Sequence, residues 1–386
     1  MNDGGIYVRG WGAVTSLGWS APAAARRLIA GDVEPAAACT SSHLVNRAFK
    51  AYEVAYGGHP LDKATAMLWS ALDEAFAMAG LSAGDIAESS LFVGTTGGLF
   101  IRNEYEFTES VRRNPDQDAP PISCRNRGPG EVADWIAAQY GIRGMALTFS
   151  MACVSSSHAL VVAADLLQKG KIRRAVIVGF EPLLNMTLHG FASLLLFDDD
   201  QCRPFCAKRA GMQIGEGAAA VILDRDKSSS AKYRLCGGYQ YNDIKSMTSA
   251  GIDGMTVCNV VRQTLTDARL SAGDVAAVKA HGTGTRDNDL SEGRGLVKLF
   301  QEKLPPVISL KGAVGHTLGA AGAVETALWL SCCEEGMIPR SFGFTEIDPD
   351  IGFAPSQQNI PARDGAYLFT FFGFGGTCTS YLILKG

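Results

Sequence analysis

Short apolar runs alternate with longer amphipathic stretches along the whole chain. The runs fall at residues 91–93, 146–149, 175–178, 219–223, 307–310 and 367–371. Their brevity and unbroken apolar character predict strands buried on both faces. The stretches between them keep helical spacing. Between residues 61 and 80, Ala64, Leu68, Ala71, Leu72 and Ala75 fall on one stripe. Buried strands covered by helices predict an α/β protein.

An internal echo adds domain organisation. Leu81-Ser82-Ala83-Gly84-Asp85 recurs as Leu270-Ser271-Ala272-Gly273-Asp274. Each copy follows a helical stretch and precedes a strand. Each strand then meets a turn rich in Gly and Thr: Gly94-Thr95-Thr96-Gly97-Gly98 in the first half, His281-Gly282-Thr283-Gly284-Thr285 in the second. Gly215-Glu216-Gly217 and Gly373-Phe374-Gly375-Gly376 also each precede a strand. Two echoes in the same order predict a duplication, with halves at 1–228 and 229–386. The join falls in the charged, Ser-rich stretch 224–232.

Composition narrows the class. Apolar residues are 47% and charged residues 19% of the 386, which excludes a disordered chain. Glycine is high, 44 residues without a G-x-y period, as tight turns and close backbone approaches require. The 35 basic and 39 acidic residues give a net charge of −4, and a field of that sign does not steer toward nucleic acid. No run reaches 18 apolar residues, and the first five residues lack the basic and apolar regions of a signal peptide. A cytoplasmic protein without membrane insertion is expected. The ten cysteines suit neither a secreted disulfide scaffold nor a zinc ribbon. Cys202 and Cys206 have no second pair to complete a metal site, so reduced thiols and no metal are expected.

Candidate chemistry concentrates at three turns. The run 146–149 feeds a tight turn, Ser150-Met151-Ala152-Cys153, and a helix predicted from about Ser156 to Gln168. Cys153 thus precedes a helix N-terminus, whose free N–H groups and dipole favour a thiolate nucleophile. An inert buried cysteine is the other reading of that residue. His281 closes a strand and opens the Gly/Thr turn. His316 lies in Lys311-Gly312-Ala313-Val314-Gly315-His316, ahead of a helix carried to about Glu334. Glu325, inside that apolar helix, needs a partner if buried, and Lys311 is in reach along the chain. The duplicated halves would bring a thiolate and two imidazoles to one junction. A cysteine with two histidines suits acyl transfer: the thiolate takes an acyl group, and neutral imidazoles hydrogen-bond an enolate formed by decarboxylation.

In these motifs the chain resembles the β-ketoacyl-acyl carrier protein synthases of the thiolase superfamily, in their elongating form. Cys153 stands at the family's S-x-A-C cysteine, His281 in its H-G-T-x-T motif, and Lys311 and His316 in its K-x-x-x-G-H motif. The resemblance implies catalytic roles for Cys153, His281, His316, Lys311 and Glu325. Thr283 and Thr285 would contact a phosphopantetheine arm, and Phe374, Gly375 and Gly376 would form a gating loop at the acyl pocket. It implies a five-layered α-β-α-β-α arrangement, no bound cofactor, an acyl carrier protein as substrate carrier, and a dimer with itself or with a related subunit. It also implies decarboxylative condensation of malonyl-carrier protein with an acyl chain on Cys153. Two other activities compete. A thiolase-like enzyme using acyl-CoA would need a second acidic or thiol base, which the motifs do not supply. A non-catalytic chain-length partner commonly lacks the cysteine.

The chain departs from the family at Val154, at Cys378, in the stretch 242–249 and in Arg286-Asp287-Asn288-Asp289. These departures point away from housekeeping fatty-acid synthesis, toward polyketide or aryl-polyene synthesis. Lys63, Arg112, Arg113, Arg125, Lys208 and Arg209 are candidates for docking an acidic carrier. Met186, Leu188 and the stretch 191–196, with Phe374, are candidates for setting acyl-chain length.

Overall fold

The computed structural model describes residues 5–40, 48–114, 128–226, 231–243 and 251–386. Ten strands form its main ladder: β1 (Ile6–Val14), β2 (Ser90–Gly94), β3 (Ala146–Phe149), β4 (Arg174–Glu181), β5 (Gly217–Asp224), β6 (Tyr233–Asn242), β7 (Val275–Lys279), β8 (Val307–Ile308), β9 (Gly365–Phe372) and β10 (Thr377–Lys385). Their spatial order is β8-β7-β9-β10-β6-β1-β5-β4-β2-β3. Read inward from each edge, the two halves have the same plan, strand n in one matching strand n+5 in the other. Three strands run parallel (β3, β2, β4 and β8, β7, β9), and two antiparallel ones follow (β5, β1 and β10, β6). A short antiparallel ladder of Ile6, Tyr7 and Val8 with Leu235, Arg234 and Tyr233 joins the halves. The expected boundary at 228/229 lies outside the described residues. The second copy of the strand plan opens at Tyr233.

The five-residue echo is a helix-start signal used twice. Ser82 with Asp85, and Ser271 with Asp274, each form a reciprocal capping box. Both sit just ahead of a parallel strand, β2 or β7.

Six helices matter for the site: α1 (Pro60–Ala79), α2 (Ser155–Gln168), α3 (Asn185–Ser193), α4 (Met255–Ala268), α5 (Arg286–Phe300) and α6 (Ala321–Glu334). Helix α1 covers β1 and β5 on one outer face, and α4 covers β6 and β10 on the other, with α5 packed against α4. Between the sheets lie α2 and α6, which touch strands and each other. Layers therefore run α-β-α-β-α. A helix packed on all sides needs an apolar surface all round, and α6 is buried from Ala321 through Cys333. Its Trp329 meets Tyr367 and Phe369 of β9 edge-on.

Two glycines let these layers close. A Cβ on Gly322 of α6 would lie 2.2 Å from the Ser157 nitrogen of α2, and one on Gly94 would lie 2.2 Å from the Ser156 nitrogen. Both clashes are with backbone, so neither neighbour can swing aside. Gly322→Ala is therefore expected to destabilise the fold by about 1–3 kcal/mol through overpacking. Denaturant titration would show the lowered midpoint; an unchanged midpoint would mean that the helices can part cheaply.

One strand differs from expectation. The run 146–149 forms β3, but it is not a buried strand: Leu147 is 38% exposed. It is the last strand of the sheet and, among the described residues, pairs only with β2, which leaves its other edge without a strand neighbour there. Among the described residues no helix is long and apolar enough to cross a membrane.

Candidate active site

Cys153 sits at a strained corner between β3 and α2. Ala152 just before it has φ of 49°, the left-handed region that costs a residue with a Cβ. Local hydrogen bonds hold the corner: the Ser155 hydroxyl accepts from Met151 N at 2.9 Å and donates to Ala152 O at 2.7 Å. The turn thus places Cys153 on the cavity wall at the start of α2. The thiol is buried, and burial pushes it up to about 12, with Lys311 pulling the other way. Burial thus opposes the thiolate that a helix N-terminus favours.

The two histidines come from corresponding parts of the second half, His281 after β7 and His316 after β8. Their ring centroids are 5.2 Å apart at 83°. Lys311 fixes the first. Its Nζ donates to Glu325 Oε1 at 2.6 Å and to His281 O at 2.7 Å, and lies 3.3 Å from His281 Nδ1. An ammonium has three protons and accepts nothing, so His281 Nδ1 is the acceptor and Nε2 carries the ring proton. The second ring is fixed by backbone: Leu318 N donates to His316 Nδ1 at 3.2 Å. Leu318 reaches that position with φ of 44°. His316 Nε2 is buried with no hydrogen-bond partner among the described residues. Both rings are held well below the ordinary imidazole value, first by burial and then by Lys311. They are neutral Nε2–H donors.

Cys153, His281 and His316 line one cavity of about 430 Å³. Thr283, Thr285 and Arg286 lie along its wall, and Phe191, Leu195 and Leu196 form an apolar side with Gly373 and Phe374. The Thr283 and Thr285 hydroxyls are 2.8 Å apart. Phe191 and Phe374 meet with centroids 5.6 Å apart. Of the expected site residues, Lys311 and Glu325 stand behind the histidines. Gly375 and Gly376 back the Phe374 turn without lining the cavity. Gly376 is held at φ of 77° against Asp243 O.

Buried carboxylates escaped the sequence reading. Glu181, at the end of β4, accepts from Thr96 N, Thr96 Oγ1, Gly97 N and Gly319 N at 2.6–2.9 Å. It ties the first Gly/Thr turn to the approach to α6, and burial raises it to about 7 despite those donors. Glu292 and Asp289 of α5 do the same for the second turn, accepting from His281 N, Gly282 N, Thr283 N and Gly284 N. Glu181 ends its strand and Asp289 lies in the first helical turn after the second Gly/Thr loop, but neither position by itself marks a buried acid. Lys279, one residue before Ala280-His281, also escaped notice.

The structure also places the remaining candidate residues. Lys63 pairs with Glu216 at 2.5 Å, and Arg209 is buried against Asp348, so neither is free for docking. Arg112 and Arg113 pair with Glu109, and exposed Lys208 pairs with Glu346. Arg125 and residues 244–249 lie outside the described residues. Met186 points outward at 60% exposure, and Leu188 is buried without lining the cavity. Cys202 and Cys206 are free thiols, and among the described residues no group of His, Cys, Asp and Glu could hold a metal ion.

Two family models match the chain: the N-terminal domain of β-ketoacyl synthase over residues 46–229 and its C-terminal domain over 235–345. Nodulation protein E of Rhizobium meliloti is 28% identical over 336 residues, covering 82% of this chain and 81% of its own. The 3-oxoacyl-[acyl-carrier-protein] synthase 2 of Mycobacterium tuberculosis is 26% identical over 309 residues, 76% of this chain and 74% of its own. Among solved structures, a ketosynthase (ApeO) in complex with its chain length factor (ApeC) from Xenorhabdus doucetiae superposes with a TM-score of 0.84 at 23% identity, covering 99% of this chain and 98% of that one. The duplicated thiolase-type fold and the two domain matches, which span both halves, establish that the chain belongs to the β-ketoacyl synthase family.

Proposed function

We propose that the protein catalyses decarboxylative Claisen condensation, with the cysteine and both histidines as its working groups. The carrying observation is that Cys153 from one half and two neutral imidazoles from the other line a single cavity. An acyl group passes from its carrier to Cys153 Sγ, and the thiol proton goes to the departing carrier thiol. A malonyl thioester then enters past Thr283 and Thr285. Its carboxylate leaves as carbon dioxide, and the Nε2–H groups of His281 and His316 hold the enolate oxygen that forms. The enolate carbon attacks the acyl-cysteine, expels the Cys153 thiolate and leaves a β-ketoacyl-carrier protein. The Cys153 corner at the tip of α2 receives that negative charge. No cofactor enters any step. Lys311 and Glu325 hold His281 in the right tautomer.

Polyketide or aryl-polyene synthesis is the pathway class this reading favours, given the likeness to a ketosynthase paired with a chain length factor. The same likeness, with the exposed Met145 and Leu147 at the open β3 edge, supports a dimer with itself or a related subunit. Cytoplasmic placement belongs to this reading too, since carrier-bound malonyl and acyl groups are its substrates. The reading of a non-catalytic chain-length partner is disfavoured by the retained Cys153, His281 and His316.

Purified protein given acyl- and malonyl-carrier proteins is expected to release carbon dioxide and extend the chain. Because both imidazoles are held below 6.5, the decarboxylation rate should stay level as pH falls to 6.5 and decline only below it. A rate already falling between pH 8 and 6.5 would contradict neutral histidine donors.

A further inference from the structure

Lys279 is a second lysine in the same buried cluster, and the mechanism above gives it no part. It lies on β7, two residues before His281, with no exposed surface. Its Nζ donates to Glu325 Oε2 at 2.5 Å and to Thr370 O at 3.2 Å, and sits 3.4 Å from the centre of the Phe371 ring. One carboxylate oxygen, one backbone carbonyl and one aromatic face account for its three protons.

Glu325 is thereby shared. Its Oε1 faces Lys311 and its Oε2 faces Lys279. With one lysine, the carboxylate would cancel the ammonium beside His281. With two, the lysine–glutamate–lysine set keeps one net positive charge. Among the described residues Glu292 of α5 also faces it, accepting from Thr370 Oγ1 and from the backbone of His281 and Gly282. Burial raises Glu292 to about 7, so near neutral pH its carboxylate is only partly ionised and offsets the surplus charge incompletely. The surplus therefore sits behind both imidazoles, among buried side chains where the lower dielectric screens it less than bulk water would.

We propose that Lys279 is a positioning residue that acts through Glu325 and Lys311, supplying the charge that keeps His281 and His316 neutral donors facing the enolate. A buried ion cluster is costly to assemble and is often no more stable than an apolar replacement. Stability alone therefore gives no account of the cluster. The direction of the imidazole shifts agrees, Lys279 standing among the charges that lower both rings after burial and Lys311.

The inference rests on the condensing reading for its purpose, but its test does not. Protein carrying isotope-labelled histidine would be titrated by NMR as wild type, Lys279→Met, Lys279→Gln and Lys279→Arg, with the two rings assigned from His281→Ala and His316→Ala. Loss of the charge is expected to raise the titration midpoint of one or both rings by at least about half a pH unit, roughly a threefold change in proton affinity. Lys279→Arg should restore the wild-type midpoint. The acid limb of malonyl decarboxylation should move up by the same amount in the neutral variants. Unmoved midpoints in a folded neutral variant would overturn the proposal. So would failure of both neutral variants to fold while Lys279→Arg folds, which would make the lysine purely structural. If the midpoints move and no condensation is found with any substrate, the charge proposal stands and the condensing reading falls.

Discussion

Cys153→Ala is expected to abolish chain extension while leaving malonyl decarboxylation in place. Cys153 is the only thiol among the described residues lining the cavity, whereas in the proposed reaction decarboxylation depends on the two imidazoles that line it too. Removing a nucleophile that acts as part of a set costs on the order of 10⁴- to 10⁶-fold in turnover. Removing one donor from an oxyanion-type pair costs about 10²- to 10³-fold. The two defects should therefore separate: Cys153→Ala loses condensation, and His316→Ala loses decarboxylation. Carbon dioxide release and product analysis on both variants would read them out. A Cys153→Ala variant that still extends chains would place the nucleophile elsewhere.

Glu325→Leu is expected to produce the largest loss of stability. Its two oxygens are the anionic partners of Lys279 and Lys311, at 2.5 and 2.6 Å, and all three side chains are buried. Removing the carboxylate leaves two ammonium groups in an apolar interior, a class of change that costs about 3–5 kcal/mol. The pH dependence follows by linkage. Burial lowers Lys279 to about 8 even with Glu325 opposing, and without the carboxylate it falls further, while in the unfolded chain it stays near 10.4. The unfolded state then binds more protons, so the stability of the variant rises as pH rises toward 10. Denaturant midpoints at pH 7 and 9 would check both parts. A variant as stable as wild type at pH 7 would mean the lysines find other partners or water.

Much of the architecture could be read in the chain because it is periodic and repeated. The echo of Leu81–Asp85 in 270–274 reflects a capping box needed twice, at the same place in each half. The three site side chains were legible because each stands beside glycine and small residues at an element boundary, where strand ends meet helix starts. What pattern could not supply was context in three dimensions. Leu147 looks like a core residue in sequence, yet its strand lies at the sheet edge. Arg209 and Lys63 look like surface charges, yet each is folded against a carboxylate distant in sequence. The helix-tip argument for Cys153 weighed a local field without the burial that opposes it. Glu181, Glu292 and Lys279 act across elements 40 or more residues apart, or on loop backbone, and no spacing rule marks such partners.

The central claim is that the sulfur at the α2 corner carries the growing chain. Wild-type protein would be incubated with acyl-carrier protein alone, digested, and its peptides mapped by mass spectrometry. The account predicts one acyl adduct, on the peptide containing Cys153, which disappears on adding malonyl-carrier protein as extended product forms. An adduct on another cysteine, or no adduct under conditions in which chains are extended, would contradict it.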